Sequence, residues 1–271
     1  MKKYLIVAGN IFKYTFIYLV LQMAAGIIMG IVYTIKYIDT LTEAQIQEKL
    51  MEDIFIGVGI SAICALLIYM LLFRNKEENL WERCKFKKIH LRQFFFTMLA
   101  ALGLSAISSS FVLITYEKFE SYAEVSRNIH AGLNTLIGTI CIIVLIPIFE
   151  EILFRGLVLN ELKRCFGIAI SVGIQSAIFA LYHGNLLQGI YTFALGIMLG
   201  LVYIWFENIW IPVLMHVSYN FLGTLVFPVL LYYTEKFVAF YILTGILALS
   251  LSLFYLYRRR MHDLWSEEAN A

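Results

Sequence analysis

Eight apolar stretches, each near the roughly 20 residues a helix needs to cross a bilayer, divide this sequence. They run over residues 12–36, 53–73, 93–115, 133–158, 167–184, 187–206, 209–232 and 237–257. In lipid every backbone N–H and C=O must find its partner inside the protein, which for runs of this length means helix. The expected fold is therefore all-α, a polytopic membrane bundle of about eight helices. Composition agrees: 61% of the 271 residues are hydrophobic and 15% are charged, whereas soluble domains are about a quarter charged. With no separate soluble module, residues 1–271 read as one integral-membrane domain.

The fifth and sixth stretches are parted only by Gly184-Asn185, and Pro147, Pro212 and Pro228 fall inside proposed spans. Proline is tolerated there because neighbouring groups can satisfy the freed carbonyls. Met1-Lys2-Lys3 before an apolar run has the look of a signal peptide, but residues 14–35 are too long for its apolar region. They are expected to stay as the first span.

Loop charge orients the bundle. Arg74, Lys76, Arg83, Lys85, Lys87, Lys88 and Arg92 follow the second span, Lys163 and Arg164 the fourth, and Arg258, Arg259 and Arg260 the eighth. The mainly acidic segment 37–53 and Glu117, Glu120 and Glu124 alternate with them. With eight spans all basic loops share one side, and the positive-inside rule puts both termini in the cytoplasm of a multi-pass cell-membrane protein. The net charge of +2 says little about partners, and no basic tract interleaved with aromatics points to nucleic acid. Cys64, Cys84, Cys141 and Cys165 lack the CxxC spacing of zinc or redox motifs. Cys64 and Cys141 read as small buried thiols.

Ionisable side chains deep in an apolar run cost at least about 2.5–3.5 kcal/mol each on insertion scales and mark functional sites by default. Lys13, near a span end, can snorkel to the interface. Glu150 and Glu151 interrupt residues 141–154, with Arg155 four residues beyond Glu151 on the same helix face. Glu150 points about 100° away. His183 follows Phe179 by one turn, and His216 precedes Asn220 by one turn. Taken singly, these residues also fit structural roles: acids paired with cations on other helices, a hydrogen-bonded histidine, an interhelical clamp. Their heights along the spans bear on convergence. Glu150 and His183 each stand about 16 residues, ~24–25 Å, from the turn near Cys165–Gly167, and His216 about 12 Å into the seventh span. If the polar turn 160–165 projects into the cytoplasm by two helical turns, all four groups share one depth.

Together, Glu150-Glu151-x-x-x-Arg155, Phe179-x-x-x-His183 and His216-x-x-x-Asn220 resemble the three motifs of the CAAX-protease and bacteriocin-processing family, also called Abi proteins. The prenyl-protein CAAX endopeptidases are its eukaryotic and archaeal relatives. The resemblance covers residues 145–221, inside an expected catalytic core of about 133–232. It implies a bundle enclosing a polar cavity open to the cytosol, in which Glu150 activates water and His183 shares the proton work. His216 and Asn220 then polarise the scissile carbonyl, while Glu151, Arg155 and Phe179 support the site.

The chemistry is coherent on its own terms, because amide hydrolysis needs a base, oxyanion donors and an acid for the leaving nitrogen. No serine nucleophile or HExxH helix is present. Glu150, His183 and His216 would also make an acceptable zinc set, so zinc stays open as a cofactor beside the favoured metal-free glutamate mechanism. Expected partners are the lipid bilayer and a peptide or membrane-protein substrate, bacterial in character given the short loops. The principal alternative is a non-catalytic interaction protein that confers bacteriocin self-immunity or regulates a membrane sensor kinase. A proton-coupled transporter is a third reading, weakened by the lack of repeated halves.

Overall fold

The computed structural model describes residues 1–269, with side chains through residue 261, and every regular element in it is helical. Eleven helices are numbered here among the described residues. They are α1 (Lys2–Tyr37), α2 (Glu43–Phe73), α3 (Leu80–Cys84), α4 (Leu91–Thr115), α5 (Tyr122–Leu133) and α6 (Leu136–Leu162). Then follow α7 (Ile168–Tyr182), α8 (Leu186–Phe206), α9 (Trp210–Phe221), α10 (Phe227–Thr234) and α11 (Val238–Ala269).

Six of the described helical runs are long and apolar enough to cross a membrane, so the protein is multi-pass. The expected count of eight is approximate, for two reasons. First, α7 has only 15 residues, about 22 Å of helix. Second, Trp210–Met261 is one helical run of 52 residues, yet it doubles back. The rings of Phe227 and Tyr241 lie 6.1 Å apart and Thr234 Oγ1 is 2.9 Å from Tyr241 Oη. A straight helix would separate residues 227 and 241 by about 21 Å. The reversal lies at the 3-10 turn Glu235–Phe237.

The chain forms two compact units, residues 1–84 with 121–168, and residues 85–120 with 169–271. In the first, α1 and α2 are a hairpin joined at mid-length by aromatic and hydroxyl contacts. Tyr69 donates its hydroxyl to the Tyr14 carbonyl at 2.6 Å, and Ser61 Oγ lies 2.8 Å from the Gly57 carbonyl and 3.1 Å from that of Leu21. The α2 helix starts about ten residues before its apolar run because Thr42 and Gln45 close a capping box. Gly59 lets Cys141 of α6 approach: a Cβ there would stand 2.7 Å from its sulfur. Below, α3 wedges Cys84 against Gly156 of α6, and buried Glu161 gathers Arg83 at 2.5 Å and Arg164 at 3.2 Å.

In the second unit α4 packs along α11. Their backbones nearly touch where Gly103 faces Gly245: a Cβ on Gly103 would meet the Gly245 carbonyl oxygen at 2.6 Å. Close crossing at small residues is how membrane helices gain packing without a hydrophobic driving force. Phe96 stacks on Tyr255 with centroids 3.7 Å apart. The α7–α8 crossing uses the same device, with Gly196 over Ser176 and Gly200 over Val172.

The three prolines are accommodated in two ways. Pro212 lies in the first turn of α9, where no intrahelical N–H bond is lost. Pro147 and Pro228 each follow a π-helical turn, Cys141–Leu145 and Leu222–Val226. Those turns contain the carbonyls four residues back that a proline ring would otherwise strike.

Candidate active site

The carboxylate motif lies in the first unit, at the end of the α-helical segment Ile146–Glu151 of α6. Phe149, one residue earlier, is held between two buried tyrosines from the α1–α2 hairpin. Its ring centroid is 4.5 Å from that of Tyr18 and 6.0 Å from that of Tyr69. This clamp sets the rotation of α6 and hence the direction of Glu150, which is 9% exposed. Glu151 and Arg155 are both 0% exposed and pair at 2.9 Å across one turn, as their spacing predicts. Directly after Glu151 the helix loosens into a π-helical segment, Ile152–Leu159, a distortion often found at functional sites.

The imidazole motifs lie in the second unit. His183 directly follows α7, and Gly184, at φ +66°, turns the chain toward α8. A residue with a Cβ is disfavoured in that left-handed conformation. Asn185 then caps α8, its side-chain oxygen accepting from the Gln188 N–H at 3.2 Å. His183 Nδ1 is 2.8 Å from the carbonyl oxygen of Phe179. A carbonyl only accepts, so Nδ1 carries the proton and, in the neutral ring, Nε2 is left as an acceptor.

His216, 2% exposed, projects from α9 with half-buried Asn220 one turn beyond. The fully buried Phe179 ring joins the two histidines. It stands edge to face against His183 at 4.9 Å and against His216 at 5.8 Å, with ring planes 84° and 86° apart. Two motifs 33 positions apart therefore meet on one aromatic spacer. Ser105 of α4 fixes α9 in depth by donating to the Tyr219 carbonyl at 3.2 Å, and the π-helical turn Leu222–Val226 begins two residues after Asn220.

Sequence reasoning passed over Phe149 and its tyrosine clamp, and the tautomer-setting role of the Phe179 carbonyl. It also passed over Gln175, one turn before Phe179, whose fully buried amide has no hydrogen bond among the described residues. An amide inside an apolar run was the available signal for Gln175. For Phe149 there was none, since one more aromatic in a membrane span is unremarkable. Among the described residues no group of three or more His, Cys, Asp or Glu side chains is placed to hold a metal ion.

Comparison with known proteins bears on the same segment. Residues 132–222 match the family described as Type II CAAX prenyl endopeptidase Rce1-like. Over 80 residues the chain is 29% identical to the Membrane-embedded CAAX protease MroQ of Staphylococcus aureus (strain USA300). That stretch is 27% of this chain and 32% of the staphylococcal one, so the chain spans about a third of the length of the curated relative it matches. No solved structure matches the chain. The segment that carries Glu150, His183, His216 and Asn220 is thus similar to the Rce1-like CAAX prenyl endopeptidases, the same family that its three motifs resemble.

Proposed function

We propose that the protein is an intramembrane endopeptidase, hydrolysing a peptide bond in a membrane-associated peptide or protein segment. The observation that carries this reading is the shared contact of His183 and His216 with Phe179. Two imidazoles from different parts of the chain, one directly after α7 and one on α9, both set against one aromatic ring, are more than a single structural histidine requires.

In this reading Glu150 takes a proton from water as the water attacks the scissile carbonyl. His183, its Nδ1–H committed to the Phe179 carbonyl, offers Nε2 to receive a proton and pass it to the leaving nitrogen. His216 and the Asn220 amide donate hydrogen bonds to the oxyanion of the tetrahedral intermediate, a role worth about 10²–10³ in rate per donor elsewhere. Glu151 and Arg155 hold the helix that presents Glu150. An extended segment of substrate has to enter from the bilayer or its surface, since the peptide bond must reach groups buried in the spans.

The test compares membrane proteomes, by their new N-termini, from cells carrying the native protein, Glu150→Gln or His183→Ala. Cleavage products present with the native chain should vanish with both variants while protein levels in the membrane hold. Persistence of the same products in both would sink the peptidase reading. A cellular phenotype that survives both changes, with no cleavage product in any strain, would point to a binding or immunity role. Metal analysis of active purified protein decides whether zinc takes part.

A further inference from the structure

The second unit carries, away from the proposed catalytic residues, an open cleft of about 560 Å³ lined by Phe86, Lys87, Lys88, Ile89 and Trp210. We infer that this cleft binds the headgroup and upper acyl chain of an anionic phospholipid.

Its position is the first reason. Residues 86–89 directly precede α4, and Trp210 opens α9, and both helices begin runs that are apolar and long enough to cross the membrane. The cleft therefore sits where two spans leave the hydrocarbon, the level at which tryptophan and lysine gather in membrane proteins. Its chemistry is the second. Phe86 and Trp210 meet edge to face at 5.3 Å and with Ile89 supply an apolar wall. Lys87 and Lys88 are exposed and, among the described residues, neither takes part in an ion pair. Two uncommitted cations beside an apolar wall at the interface match a phosphate joined to an acyl chain; a free anion would leave the apolar wall unused, and a zwitterionic headgroup would bring a cation of its own beside the two lysines.

The third reason is rigidity. The Asn208 side chain accepts from Lys87 N–H at 3.2 Å and donates to the Lys87 carbonyl at 3.1 Å. Ile209 N–H donates to the Lys85 carbonyl at 3.2 Å, and Lys85 pairs with Glu207 at 2.7 Å. Lys85 and Glu207 both adopt positive φ, 57° and 46°, which bends each strand of this junction to meet the other. A basic loop left free would need none of these bonds. This one is fastened to the α8–α9 turn, so the backbone that carries Lys87 and Lys88 is held in place before any ligand arrives, which lowers the ordering cost of binding.

The inference is independent of the proteolytic reading. Purified full-length protein is placed in nanodiscs of phosphatidylcholine, with or without phosphatidylglycerol carrying brominated acyl chains. Binding is read from tryptophan quenching, and lipid retention from native mass spectrometry. The native protein should retain phosphatidylglycerol over phosphatidylcholine, and Trp210→Phe should remove the part of the quenching that the other three tryptophans do not account for. Lys87→Gln/Lys88→Gln should weaken retention about 30-fold, roughly fivefold per lysine. Lys76→Gln, in the other part of the basic loop, should leave it unchanged. If the double variant fails to fold, Lys88→Gln alone should give the fivefold loss. Equal retention of both lipids, equal retention by the lysine variants, or displacement by millimolar inorganic phosphate would each overturn the proposal; the last would mark a small-anion site.

Discussion

Glu151 and Arg155 close a 2.9 Å ion pair across one turn of α6 with neither side chain exposed. Removing one member of a buried pair leaves the other charge uncompensated, at a cost of about 3–5 kcal/mol. Replacing both by apolar side chains of similar size is commonly near neutral. The expected outcome is that Glu151→Leu and Arg155→Met each lower the thermal midpoint sharply in detergent. The double variant should recover a large part of that loss. Midpoints that simply add would show that the two charges do not depend on one another.

Gly103 and Gly245 put the α4 and α11 backbones in near contact, with a Gly103 Cβ only 2.6 Å from the Gly245 carbonyl oxygen. Backbone cannot yield as a flexible side chain does. Gly103→Ala should therefore separate the helices and cost about 1–3 kcal/mol, the usual range for overpacking. Gly26→Ala in α1, where a Cβ would meet nothing within 4 Å, serves as the comparison and should be neutral or slightly stabilising. Thermal unfolding of the two variants checks both statements.

The membrane class and the placement of most spans were legible because hydropathy and helix length obey one rule in lipid. So was the Glu151–Arg155 pair, since a spacing of four residues puts both on one helix face. The reversal at Glu235–Phe237 was legible as the gap between the seventh and eighth stretches. The convergence of His183 and His216 on Phe179 was legible only in part. Helical periodicity aligned Phe179 with His183, but adjacency between α7 and α9 depends on packing that no local pattern encodes. The start of α2 at Glu43 lay outside the hydropathy signal because a capping box, not apolarity, sets it. Helices α3 and α5 went unread because hydropathy does not mark them either. They are short, lie between the long apolar stretches, and are stabilised by the helices they pack on.

Cys84, buried beneath Gly156, has its thiol pushed up from 9.0 to about 12 by burial, with the nearby Arg83 pulling weakly the other way. A raised acid pKa means that the folded state keeps a proton the unfolded state has lost. Stability from this group is thus complete below about pH 9 and declines as pH rises towards 12. The thermal midpoint of the native protein should fall over that interval more steeply than that of Cys84→Ala, with parallel curves below pH 8. The neutral thiol should also resist maleimide in the folded protein, whereas the partly exposed Cys165 reacts.

Phe179 is fully buried and meets both His183 and His216 edge-on, so its ring acts on the proposed chemistry only through the orientation of the imidazoles. Phe179→Leu keeps most of the apolar volume and should cost under about 1.5 kcal/mol of stability, while relaxing the angle of both histidines. Misplacement by about 1 Å can cost 10²-fold in rate. Turnover of a cleaved peptide should fall at least tenfold, with KM little changed because Phe179 is not expected to touch substrate. The matched control is Phe227→Leu, in the cluster with Ala106 and Leu231 on the same unit, which loses similar volume without bordering a histidine. Peptide-cleavage kinetics alongside thermal midpoints separate the two cases. Equal loss of activity in both variants would mean that Phe179 contributes packing alone.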